Sequence, residues 1–166
     1  MRIRFLPVLA AILGVSACGG EPAEDAATEA PAEVEAPAAA PVVMPRSPSA
    51  EGARVFFITP ADGDAVTSPV RVEFGIEGMT VAPAGDDTPH SGHHHLLIDT
   101  ELPDLGLPIP NDANHVHFGD GSTVTEIELE PGEHTLQMLL GDHLHIPHDP
   151  PLSSAPITVV VESSVE

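Results

Sequence analysis

Hydrophobic and polar positions alternate with a period of two over much of the chain between residues 52 and 162. Val70, Val72, Phe74 and Ile76 are separated by Arg71, Glu73 and Gly75. Thr125, Ile127 and Leu129 alternate with Glu126, Glu128 and Glu130, and Leu136, Met138 and Leu140 share one parity further on. Successive side chains on a strand point to opposite faces, so this alternation predicts half-buried strands. Turn residues such as Pro60, Asp62-Gly63 and Pro131-Gly132 punctuate the runs. Strands are predicted at Val55–Ile58, Val70–Ile76, His93–Asp99, His115–Phe118, Thr123–Leu129, Glu133–Gly141 and Ile157–Val161. Outside the N-terminal leader no segment sustains a 3.6-residue period. The expected fold class is all-β: an immunoglobulin-like antiparallel sandwich of about seven strands over 52–162, with 163–166 as a short tail.

The first 51 residues follow a different pattern. Arg2 and Arg4 precede an apolar stretch, Phe5 to Val15, of the length of an export signal and too short to span a bilayer. It runs into Val15-Ser16-Ala17-Cys18, which resembles the bacterial lipoprotein box. Residues 1–17 are thus expected to be a cleaved lipoprotein signal, leaving Cys18 as the lipidated first residue. Gly19, rather than Asp, follows it, which resembles the pattern sorted to the outer membrane. The expected location is the cell envelope, on the outer membrane facing the periplasm. Between Cys18 and Glu51 the chain is mostly Ala, Pro and Glu, with too few large apolar residues to offset the entropy of folding. An extended, disordered tether over 18–51 is expected.

Charge narrows the partners. Once the leader is removed, three arginines face 26 acidic side chains, and the chain has no lysine. Such a balance excludes nucleic acid and attracts cations. Cys18 is the single cysteine, so the sandwich has neither an internal disulfide nor a thiolate metal site. Any metal bound there takes nitrogen and oxygen ligands.

All ten histidines fall between His90 and His148. They include three H-x-H pairs: His93/His95, His115/His117 and His143/His145. On a strand, residues i and i+2 share a face about 7 Å apart, so two such rings converge on one ion. Strand geometry sorts these rings. His134 and Asp142 lie roughly 26 Å apart along one strand, too far to ligate the same ion. His134, just after a Pro-Gly corner, is expected to be structural. If the third and sixth strands pair antiparallel, His93 and His95 lie at the same end as Asp142, His145 and His148. With Leu96 and Ile98 facing the core, His94 faces it too, and His93 and His95 face outward. The candidate ligands are His93, His95, Asp142, His145 and His148, followed by His115 and His117. The Thr100–Asn114 loop leaves the position of the last pair open. Imidazole with carboxylate and without thiolate suits Cu(II) or Zn(II).

The stretch Val55 to Val161 resembles the bacterial family known as domain of unknown function 4399. The resemblance rests on Gly92-His93-His94-His95-Leu96-Leu97-Ile98-Asp99, Leu102-Pro103, Ile109-Pro110, His115-Val116-His117-Phe118-Gly119, Pro131-Gly132-Glu133-His134-Thr135-Leu136-Gln137 and the segment from Gly141-Asp142 to His145-Ile146-Pro147-His148. It departs at Ser122, where the family pattern has Gln. His143 lies where that pattern tolerates other residues. The resemblance implies no activity. A fainter similarity is to periplasmic sandwiches of the copper-resistance protein C family, which use a free N-terminal histidine that a lipidated Cys18 does not supply.

Two functions are therefore weighed. One is a membrane-anchored periplasmic lipoprotein that binds a transition-metal ion. The other is a non-catalytic structural or protein-interaction module whose histidines form hydrogen-bond networks. The chain has no H-E-x-x-H and no G-x-S-x-G. An enzyme is not expected; a metallohydrolase would need a base such as Asp99 or Asp112 beside an open metal position.

Overall fold

A computed structural model describes residues 44–163. The leader, Cys18 and most of the tether lie outside the described residues, as do 164–166. Nine strands form: β1 (Arg54–Thr59), β2 (Ala65–Val66), β3 (Val70–Glu77), β4 (Thr80–Val81), β5 (Ser91–Ile98), β6 (His115–His117), β7 (Val124–Ile127), β8 (Gly132–Gly141) and β9 (Ile157–Val161). The seven predicted strands are all present. The two unforeseen ones, β2 and β4, are two residues long, too short to carry a periodic signal.

The strands make two sheets, ordered β1-β3-β7 and β2-β9-β8-β5-β4, with β6 also paired to β5. The long pairings are antiparallel, but β2 pairs β9 and β4 pairs β5 in parallel. The larger sheet is therefore mixed, where a fully antiparallel one was expected. The inner faces meet as the period-two pattern requires. Val70, Val72, Phe74 and Ile127 of the small sheet pack against Leu96, Leu136, Met138, Leu140 and Val159 of the large one. These apolar side chains leave water on folding, each contributing about 1.5–3 kcal/mol before the entropy cost.

The outer face of the large sheet is not open to solvent. A second apolar cluster forms there from Leu97 of β5, Leu139 of β8 and Ile109 of the 99–114 loop. That loop lies across the sheet and roofs it. With the core on its other face, every residue of β5 is buried. Residues 46–49, which composition assigns to the tether, lie against the loop after β8: Ser49 N–H donates to Asp149 O at 3.1 Å, and Asp149 N–H to Ser47 O at 2.9 Å.

Candidate metal centre

The centre grows from the middle of β5. This strand is paired on both edges, to β8 through His93↔Gly141 and His95↔Leu139, and to β6 through His95↔His117. His93 and His95 share the roofed face by strand parity. His117 reaches it as the direct cross-strand neighbour of His95, where side chains stand about 4.5–5.5 Å apart. Glycines leave room for the rings. A Cβ on Gly119 would sit 2.3 Å from His117 Cε1, and one on Gly141 would sit 3.0 Å from His95 Nε2. The His117 ring thus lies against Gly119, and the His95 ring against Gly141.

The fourth ring comes from the turn that follows β8. Asp142 Oδ1 accepts the N–H groups of Leu144 at 2.9 Å and Ile146 at 3.0 Å. His145 N–H donates to Asp142 O at 2.8 Å, and its own carbonyl accepts Ile109 N–H at 2.8 Å. The turn holds His145 at φ 66°, a left-handed conformation uncommon for a residue with a side chain. In this turn the ring packs against those of His93 and His117.

The four rings form one packed group. His93 lies with its centroid 5.0 Å from His95, 4.9 Å from His117 and 4.9 Å from His145. His95 and His117 are 4.9 Å apart, His117 and His145 4.7 Å, and His95 and His145 6.1 Å. One ring nitrogen from each of His93, His95 and His117 lies within 4.8 Å of the others. Among the described residues this is the one such convergence of three or more metal-ligating side chains.

Burial makes the group chemically unusual. His93 and His95 are 0% and 1% exposed. Both ring nitrogens of each, and His117 Nε2, are buried without a hydrogen-bond partner. A buried polar atom left unpaired costs about 1–3 kcal/mol, so native structures rarely leave several together. Burial first, and then repulsion from His117 and His145, pushes the His93 pKa down to about 4. Burial, followed by repulsion from His93, His117 and His145, pushes His95 down to about 2. His117 is lowered mainly by burial as well. Lowered pKa values favour the neutral form of His93, His95 and His117 at pH 7, the state in which imidazole offers a lone pair to a metal.

The remaining histidines have other roles. His94 points to the opposite face and packs 5.1 Å from the Phe74 ring, inside the sandwich core. Its nitrogens also lack partners, and burial lowers its pKa to about 4. No other ligand converges on it, so His94→Leu is expected to stabilise the fold by about 1 kcal/mol in urea melts. A loss instead would reveal a hidden partner for the ring. The His134 ring lies 2.7 Å from Asp99 Oδ2 and 2.8 Å from Glu130 O. Both partners are acceptors, so the protonated ring can donate to each, and the bond to Asp99 raises its pKa. That is the structural role expected of it.

Three predicted ligands are not brought into the group. His148 is buried with Nε2 3.1 Å from Ser91 O. Its ring faces a backbone carbonyl, not the other imidazoles. Asp142 gives Oδ1 to the turn and accepts the Ser47 hydroxyl on Oδ2 at 2.8 Å. Burial alone would raise its pKa, but hydrogen bonds from Ser47, Ile146 and Leu144 outweigh this and hold it low. It organises the turn that carries His145. His115 shares the roofed face with His117 but holds Asp112 through Nδ1 at 2.9 Å. His143, the weakest member of the third pair, also stays out of the ring group, whereas the His145 ring packs within it, although its nitrogens are not among the three that converge within 4.8 Å. The expected outward orientation of His93 and His95 holds, but the roof removes the exposure it implied.

Residues 72–162 match the model of the family described as domain of unknown function (DUF4399). No curated protein and no solved structure matches the chain.

Proposed function

This chain belongs to the DUF4399 family, and we propose that it is an exported lipoprotein whose sandwich binds one transition-metal ion, Cu(II) or Zn(II). His93, His95 and His117 would be the core ligands, with His145 as the fourth. The observation that carries this reading is the set of buried ring nitrogens with no hydrogen-bond partner. Three histidines that serve structure use those nitrogens, His134 on Asp99, His115 on Asp112 and His148 on Ser91, whereas His94, also without partners, has no other ligating side chains converging on it among the described residues. The buried nitrogens of the central rings have no such partner, and a cation would satisfy them together. Nitrogens bonded tetrahedrally at 2.0–2.1 Å lie roughly 3.3 Å apart. A separation at the 4.8 Å limit of the group therefore needs the two nitrogens to close by about 1.5 Å.

The proposed role is binding rather than catalysis. Asp99 and Asp112, the carboxylates that sequence offers as bases, are engaged by His134 and His115. Export and attachment through Cys18, on the outer membrane facing the periplasm, rest on the leader and the lipoprotein-like box. Calorimetry of the purified chain with Cu(II) and Zn(II) tests the binding. One ion per chain at saturation is expected for at least one of these metals. Weak, multiple binding with no saturable site would count against it.

A further inference from the structure

We propose that Arg46 and Ser47 are positioning residues for the metal centre: the last residues of the tether form a strap that holds the His145 turn in its ligating conformation. This rests on the metal reading above. Ser47 Oγ donates to Asp142 Oδ2 at 2.8 Å, on the same carboxylate whose Oδ1 accepts Leu144 and Ile146 N–H. Arg46 spans the far side of the loop. Its Nε donates to Pro147 O at 2.9 Å, its Nη2 to His148 O, and its Nη1 lies 3.4 Å from Asp149. Pro48 completes the seam by a parallel bridge to Asp149.

The seam is built into the domain rather than resting on its surface. Arg46 has 19% of its side chain exposed, whereas Arg54 and Arg71, in surface pairs, have 62% and 58%. It binds backbone carbonyls of the segment just after His145, so its bonds restrict the path of that loop. The strap holds the turn through Asp142 and the Pro147 and His148 carbonyls, while Ile109 N–H holds the His145 carbonyl. His93, His95 and His117 stand on paired strands and need no such support. His145 alone is carried by a turn, in a left-handed conformation that must be maintained. Outer partners that orient a ligand commonly change metal affinity by about 10- to 100-fold.

The test uses the full chain and Zn(II) or Cu(II) alone as probe. Ser47→Ala and Arg46→Ala are each combined with His145→Ala, and affinity and dissociation rate into a chelator are measured. The strap variants are expected to weaken binding and speed dissociation by about tenfold or more. Ser47→Thr, which keeps the hydroxyl, should restore most of the loss. In the His145→Ala background the strap substitutions should change little, because the ligand they position is already gone. Tight binding by the unmodified chain with equal affinity in the strap variants would overturn the proposal. So would a strap effect of the same size without His145, which marks general destabilisation. Absence of binding by the unmodified chain defeats the metal reading, and the strap's role with it.

Discussion

Replacing His93 and His95 together by alanine is expected to abolish the thermal stabilisation that Cu(II) or Zn(II) gives the protein. A ligand that binds only the folded state at about 100 times its Kd adds about 2.7 kcal/mol. For a domain of this size that raises Tm by roughly 10 °C. The double variant loses two of the three converging nitrogens, so the added metal should shift its Tm by no more than a degree or two. Both rings are fully buried, and alanine leaves space beneath the 99–114 loop. The metal-free Tm is therefore recorded for each protein, and only the difference made by metal is compared. His117→Ala, at a less buried position, provides a second reading and should lose most of the same stabilisation. An unchanged metal-induced shift in both variants would place binding elsewhere.

Acid is expected to unfold the metal-free protein between pH 6.5 and about pH 4, with net uptake of about three protons. The rings responsible are His93, His94 and His95, whose pKa values burial lowers to about 4, about 4 and about 2. In the unfolded chain each protonates near 6.5. Between the two values the unfolded state binds more protons, so stability falls as pH falls. Each ring costs on the order of 3 kcal/mol by pH 4. Three such losses compare with a total stability of about 5–15 kcal/mol. His134 acts in the opposite sense. Its raised pKa stabilises the fold below 6.5, a contribution lost as pH rises through its folded value. Circular dichroism at stepped pH checks the prediction, and saturating metal should move the transition to lower pH. Urea stability unchanged between pH 6.5 and pH 4 would mean that the three rings are not held neutral.

Much of this was legible from residue order alone. Period-two alternation located the seven longer strands, because one face of each packs on the core. Parity put His94 inward and His93 and His95 on the other face. The antiparallel partnership of β5 with β8 brought His145 near His93. The direction of a side chain on a loop was not legible. Asp142 and His148 lie close in sequence to His145, yet one organises the turn and the other faces Ser91 O. What separates them is the path of the turn, with Asp142 bonded to its backbone and His145 at φ 66°, which a list of residue types does not carry. The place of His117 depended on where β6 docks after the 99–114 loop, a tertiary choice with no local periodicity. That loop also roofs the outer face through Ile109, which turns an apparently exposed H-x-H pair into a buried one. Residues 46–49 read as tether from composition, since their ordering comes from bonds to residues nearly a hundred positions away.

X-ray absorption at the metal edge of the chain loaded with one equivalent of Zn(II) or Cu(II) addresses the centre most directly. The account predicts three or four nitrogen neighbours with the outer-shell scattering of imidazole, falling to two or fewer in the His93→Ala/His95→Ala variant. A first shell of oxygens without imidazole scattering, or an imidazole shell unchanged in that variant, would contradict it.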